Sequence, residues 1–374
     1  MRILVAGDYC DHGRISKLIE SGSYHRIFGE LKEITGKADF SVVNFEFPVS
    51  CKNAKPIIKN GPCLIGREKA IEALSYSGFN VCTLANNHIL DQGHDCCLYT
   101  RNKLEENGFR TVGVGKDLNE ASQILYLEKN GERIAVINCC EHEFSIATTL
   151  SAGSNPLNVV NQYYKIQEAR DNADFVLVIV HGGHENFQLP SQRMKETYRF
   201  FIKAGADAVI NHHQHCYSGF EIIDGKPIFY GLGNLIFDWD GKRNSSWNEG
   251  YMVDLDFSDK GISFNLIPYI QGNENPGYES MSDNEKEFFK DNIDRLNAII
   301  ADDELLDQEV KTWMMKTSKR HLGIFQPYVD KISSALFSRG WLPSLLTRRK
   351  VNLLKNYINC ESHLERVRYM INNY

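Results

Sequence analysis

Five times within the first 215 residues an apolar run ends on side chains that can bind a metal ion. The segments are Val5-Ala6-Gly7-Asp8, Val42-Val43-Asn44-Phe45-Glu46 and Leu84-Ala85-Asn86-Asn87-His88-Ile89-Leu90-Asp91. Further along come Val178-Ile179-Val180-His181-Gly182-Gly183-His184-Glu185 and Val209-Ile210-Asn211-His212-His213-Gln214-His215. Continuous Val/Ile/Leu runs belong to strands covered on both faces. The pattern predicts strands at Arg2–Ala6, Phe40–Asn44, Val81–Leu84, Ile134–Asn138, Phe175–Val180, Ala208–Ile210, Ile228–Tyr230 and Met252–Phe257. Helices are expected between them. Arg67–Ser77 and Cys96–Asn107 are each closed by a glycine, the residue best suited to the left-handed turn past a helix end. In Pro190–Ala204, Met194, Tyr198, Phe201 and Ile202 form one stripe at helical spacing. Strands alternating with helices imply an α/β class. Ligands of such sheets bind at the carboxyl ends of the strands, so the five polar clusters should face one crevice.

Taken singly, most of these clusters have an ordinary explanation. Gly-Asp after a strand is commonly a turn, Glu46 alone could cap a loop, and His181 alone could be a hydrogen-bonded core histidine. Asn86-Asn87-His88 says more, and His212-His213-Gln214-His215 most, because three histidines in four residues have little structural use. Hard divalent cations take carboxylate and amide oxygens, while imidazole suits zinc, iron and related metals. A mixture of Asp, Glu, Asn and His therefore fits a two-metal hydrolytic site, where one carboxylate bridges ions ~3.5–4 Å apart and bound water ionises near neutral pH. Asp8, Glu46, Asn87, His181, His213 and His215 are the expected ligands.

The rest of the chain bounds the setting. A net charge of −6 and a pI near 6.1 exclude a general nucleic-acid binder, which carries a basic footprint. No apolar run reaches the ~20 residues that cross a bilayer. The opening Met-Arg-Ile-Leu-Val-Ala-Gly-Asp reads as a first strand and not as a signal peptide, so a cytoplasmic chain is expected. Ten cysteines with no Cys-x-x-Cys spacing are then expected to be reduced and mostly buried. Character changes near residue 275, suggesting a domain over 1–275 and a helical extension over 276–374. Ser282 with Glu285 forms a capping-box pattern ahead of an acidic helix at Glu285–Ile300. The end of the chain is basic, with Arg348, Arg349, Lys350, Lys355, Arg366 and Arg368 among Leu and Ile. It is either a solvated helix face or a peripheral contact with an anionic membrane.

The strings "ADFSVVNFEFPVS", "GFNVCTLANNHILDQG", "HGGHEN" and "AGADAVINHHQHCYSGFEIIDGKPIFYGLGNLIFD", with the opening "VAGD", resemble the CapA family of poly-gamma-glutamate capsule-synthesis proteins. That family resembles a branch of the calcineurin-like metallophosphoesterases. The resemblance covers residues 3 to 238 and implies a four-layer α/β/β/α sandwich with metals at the strand ends. It implies that Asp8, Glu46 and His215 hold one ion, and that Glu46, Asn87, His181 and His213 hold a second. The two ions would be divalent: Mn, Fe or Zn. His88 would serve the leaving group or polarise the substrate, with Asp91 orienting it. Glu185 and Asn234 would bind substrate. Three positions depart from the pattern. Cys10 replaces the histidine usual in the first motif, leaving Cys10 or His12 as an alternative ligand, and Asn211 and Gln214 replace glycine and proline.

Three functions are compatible with this reading: a hydrolase of phosphate esters, a metal-dependent enzyme acting on peptide or polyglutamate by amide transfer or epimerisation, and a non-catalytic partner in capsule assembly. The substrate would be a small molecule or a polymer. One scaffold hosts many activities, so the fold does not choose among them.

Overall fold

The computed structural model describes residues 1–323, 325–328 and 330–372. The chain opens with β1 (Arg2–Tyr9), β2 (Phe40–Phe45), β3 (Val81–Thr83) and β4 (Arg110–Val112), all parallel in one sheet. Next come β5 (Val114–Gly115), β6 (Leu125–Lys129), β7 (Glu132–Cys140) and β8 (Gly153–Ser154), of which β5 and β8 form a small ribbon. A second sheet gains β9 (Phe175–His181), β10 (Ala208–His212), β11 (Phe220–Ile223) and β12 (Lys226–Phe229). The chain then returns to the first sheet with β13 (Asn234–Ile236), β14 (Glu249–Ser258), β15 (Gly261–Gln271) and β16 (Tyr278–Ser280). The eight-stranded sheet has the order β16-β15-β14-β1-β2-β3-β4, with β13 also on β1; the six-stranded sheet has the order β11-β12-β10-β9-β7-β6.

Alternation along the strands builds four layers. Leu4 and Ala6 of β1 and Val43 and Phe45 of β2 share a core with Ile15, Ile19, Ile71, Leu74 and Leu104. These come from helices Arg14–Glu20, Lys69–Tyr76 and His94–Glu106. Ile3, Val5 and Val42 are equally buried but belong to the opposite face. There the two sheets meet through aromatic pairs: Phe175 with Phe257 at 5.2 Å, and Phe229 with Phe264 at 5.0 Å. Helices Val159–Asn172 and Gln192–Lys203 cover the outer face of the second sheet. Met194, Tyr198, Phe201 and Ile202 are buried as one stripe. The architecture is the expected α/β/β/α sandwich.

Two compact units are present, Met1–Leu306 and Asp307–Tyr374. The first runs past the boundary expected at 275. Helix Asp283–Ala301 begins with the Ser282/Glu285 capping box and buries Phe289, Ile293, Leu296 and Ile300. Asn297 Oδ1 accepts from the Phe220 backbone N–H at 2.7 Å, and Asn292 Nδ2 donates to the Tyr217 hydroxyl at 2.6 Å. Its acidic outer face marks a change of composition, but its apolar stripe completes the second sheet's edge. The second unit contains helices Lys331–Ser338, Arg348–Asn359 and Glu361–Asn372. Among the described residues no helix is long and apolar enough to cross a membrane.

One expectation about the cysteines is corrected. Cys51 and Cys96 form a disulfide across a sequence separation of 45. Cys10, Cys82, Cys97, Cys139, Cys140 and Cys216 are buried thiols, as expected. The pairing was hidden because Cys51 sits in an irregular loop that only the fold brings to the start of helix His94–Glu106.

Candidate metal centre

β1 changes register against both β2 and β13 near Asp8. Gly7 makes this passage feasible, since a Cβ there would stand 1.8 Å from the Gly233 carbonyl oxygen. The bulge sends the Asp8 side chain into the interior and leaves Tyr9 and Cys10 together in the helix-side core. Glu46 follows β2 directly, Asn87 and His88 follow β3, His181 ends β9, and His213 and His215 follow β10. All seven residues are buried. His213 and His215 sit at φ of 91° and 56°, a conformation uncommon for residues other than glycine and characteristic of constrained functional turns. Gln214 holds that turn by donating from Nε2 to the Phe187 carbonyl at 2.9 Å.

Two donor groups result, and they share Glu46. Asp8, Glu46 and His215 bring one ligand atom each within 4.8 Å of one another, and so do Glu46, His181 and His213. His181 Nε2 lies 3.1 Å from His213 Nδ1, 3.1 Å from Asn87 Oδ1 and 3.6 Å from Glu46 Oε1. His215 lies 3.5 Å from Asp8 through Nδ1 and 3.8 Å from Glu46 through Nε2. Both Glu46 oxygens are buried with no hydrogen-bond partner. A buried carboxylate left so costs several kcal/mol unless a charge compensates it. Bare carboxylate oxygens facing imidazole nitrogens form the donor set that a divalent cation satisfies, so these residues fit metal ions.

The electrostatics agree. Burial and the neighbouring Asp8 push the Glu46 carboxyl well above the usual carboxylate range. Burial also acts to raise Asp8, but the hydrogen bond from His215 and the charges of His212 and His181 outweigh it and hold Asp8 low. Burial and then His213 push His181 well below the usual imidazole range, leaving it neutral as a ligand must be.

Partners outside these groups orient them. Asn44 Nδ2 donates to Asp8 Oδ1 at 2.7 Å and lies 3.2 Å from His181 Nδ1. Asn87 Nδ2 donates to Glu143 Oε2 at 2.6 Å, which turns its Oδ1 toward His181. Asn211, where glycine was expected, donates to the carbonyls of Gly182 and Tyr230 and accepts from the Tyr198 hydroxyl. His88 Nδ1 lies 2.6 Å from Asp91 Oδ2, the pairing that the family resemblance implied. Glu185 is exposed on the loop after β9, and its charge is felt by Glu46, His213 and His215.

Three sequence expectations are corrected. The Cys10 side chain is packed into the apolar core on the helix side, because the bulge turns it away from Asp8. His12 Nδ1 lies 2.8 Å from the Asp238 carbonyl and its ring stacks on Trp239 at 4.4 Å. Neither residue joins either donor group. Asn234, expected to bind substrate, is fully buried and committed: its Oδ1 lies 2.8 Å from His215 Nδ1, and its Nδ2 donates to the carbonyls of His215 and Trp247. It orients a histidine, as outer partners of ligating imidazoles do. Sequence reasoning passed over Glu143 and Lys59 as site neighbours; Glu143 closely follows the apolar run of β7, a signal that could have found it, whereas Lys59 lies in a loop that ends no such run.

Sheet arrangement and side chains define an α/β/β/α sandwich with a buried carboxylate–imidazole centre suited to cations. The chain belongs to the bacterial capsule synthesis protein PGA_cap family, whose model matches residues 2–239. It is 28% identical over 264 residues to the capsule biosynthesis protein CapA of Bacillus anthracis, covering 68% of this chain and 64% of that one. It is 30% identical over 246 residues to the PGA biosynthesis protein CapA of Bacillus subtilis (strain 168), covering 64% of each. The chain thus spans just under two thirds of these relatives. Among solved structures, a novel phosphatase of Mycoplasma pneumoniae aligns with a TM-score of 0.45 at 16% identity, covering 73% of this chain and 95% of that one.

Proposed function

We propose that this protein is a metal-dependent hydrolase of phosphoesterase type serving capsule or exopolymer synthesis. The observation that carries the reading is Glu46, a buried carboxylate with both oxygens unpartnered, shared by two donor groups. Asp8, Glu46 and His215 would hold one divalent ion, and Glu46, Asn87, His181 and His213 a second, with Mn, Fe or Zn as candidates. Bound there, the ions would polarise the scissile group and supply hydroxide near neutral pH.

The chain's own groups do the rest. His88, held by Asp91, gives a proton to the departing oxygen. Glu185 at the rim contacts the substrate. The capsule setting rests on the family and on the names of the Bacillus relatives, and polyglutamate is the second substrate class to try. The exposed Leu353, Tyr357 and Ile358 beside Arg348, Arg349, Lys350 and Lys355 suit an anionic membrane surface. Vesicle co-sedimentation that weakens with salt tests that contact.

Purified protein should carry about two divalent ions by mass-spectrometric metal analysis and hydrolyse an aryl phosphate or phosphodiester with added manganese. His88→Ala should lower turnover by roughly 10²–10⁴-fold, the range for a positioned acid, while metal content stays the same. Cleavage of γ-glutamyl amides without phosphoester turnover would move the reading to the polymer backbone. Absence of metal after mild purification would sink it.

A further inference from the structure

Residues 51–65 form an irregular loop between β2 and helix Lys69–Tyr76. The loop is tied along the residues that follow His88. Its first residue is joined to Cys96 by the disulfide, and Asn53 Nδ2 donates to Asp95 Oδ2 at 2.7 Å. Backbone N–H groups of Lys55 and Ile57 donate to the carbonyls of Gln92 at 3.2 Å and Asp91 at 3.0 Å. Ile58 and Asn60 point into solvent, but the Lys59 side chain between them is only 1% exposed. Its Nζ forms an ion pair with Asp91 Oδ1 and lies 3.2 Å from His88 Nδ1. A lysine gives up its hydration only where a charge partner replaces it.

The Asp91 carboxylate is therefore divided. Oδ1 takes the ammonium, while Oδ2 accepts from the Leu64 backbone N–H at 2.6 Å and lies 2.6 Å from His88 Nδ1. We propose that Lys59 is a positioning residue, which anchors the Asp91 carboxylate through Oδ1 and so holds Oδ2 against the ring of His88. With Nδ1 engaged, Nε2 is the one ring atom left for a substrate. Lys59 itself is too enclosed to meet substrate, so it acts through its neighbour. Its consequence for turnover rests on the function proposed above; its effect on the ring does not.

The test compares full-length wild type, Lys59→Met and Lys59→Arg, with ¹⁵N-histidine labelling and His88→Gln to assign the signal. Wild type should show a slowly exchanging, downfield Nδ1–H proton for His88. In Lys59→Met that signal should broaden or vanish while metal content is unchanged, and Lys59→Arg should restore it. Turnover in Lys59→Met should fall about 10- to 100-fold, the usual cost of losing an outer partner of a functional imidazole, with KM within about twofold. Should the methionine variant not fold, Lys59→Gln keeps an N–H donor without the charge and is read the same way. An unchanged His88 signal in a folded variant lacking the lysine charge overturns the proposal. A wild type without metal or turnover would overturn the hydrolase reading alone, since the ring signal still reports on Lys59.

Discussion

Replacing Glu46 with glutamine separates what the centre does for binding from what it does to stability. The side chain is fully buried, neither oxygen has a hydrogen-bond partner, and the nearest histidine nitrogens stand 3.6 and 3.8 Å away. An unsatisfied buried polar group costs ~1–3 kcal/mol, and more when charged. Glutamine keeps the polar atoms but cannot ionise, so with chelator present Glu46→Gln should raise the unfolding free energy by about 1–3 kcal/mol at neutral pH. Excess divalent metal should reverse the order. Each ion at a hundredfold excess over its Kd adds about 2.7 kcal/mol to the form that binds it, and the variant loses the ligand shared by both groups. The pH dependence has a definite sign. The folded state holds Glu46's proton above the ordinary value of 4.5, because burial and Asp8 disfavour the anion. Wild-type stability contributed by this proton is complete below that value and is lost as the pH rises above it, by up to ~1.4 kcal/mol per unit. The metal-free advantage of the variant should widen accordingly as the pH rises above about 5. Urea unfolding followed by circular dichroism, with EDTA and then with manganese, reads all of this. A variant less stable than wild type under both conditions, or one that gains equally from manganese, would refute the argument.

Further outcomes follow from individual contacts. Asn211→Ala removes three buried hydrogen bonds and strands the Tyr198 hydroxyl, so denaturant unfolding should show a loss of about 2–4 kcal/mol. Gly7→Ala forces a Cβ to within 1.8 Å of the Gly233 oxygen; a loss of about 3 kcal/mol or more, with lower metal affinity by titration calorimetry, is expected. Reducing the Cys51–Cys96 bridge opens a loop with a sequence separation of 45, so unfolding with and without dithiothreitol should differ by roughly 2–4 kcal/mol.

Much of the centre was legible before folding was considered. Hydrophobic period is a local property, and each candidate ligand stands at the end of an apolar run, His213 and His215 sharing one, so the strand order did not have to be known. The pairing of His88 with Asp91 was implied by the family resemblance, and with only Ile89 and Leu90 between them a single turn suffices to bring the two together. The capping box at Ser282 is likewise written in four adjacent residues, although the helix's membership in the first unit is not.

By itself, then, the sequence determined the α/β class, the strand ends and the set of side chains offered there. Tertiary structure alone decided which way those side chains face and what they meet. A register shift at Asp8 turned Cys10 into the apolar core, the close approach of β13 committed Asn234 to His215, and a motifless loop delivered Lys59 to Asp91. These outcomes depend on contacts between residues as far apart in the chain as Asp8 and Asn234, where no local periodicity carries information. A strand's pattern specifies that it is buried; only its neighbours specify against what.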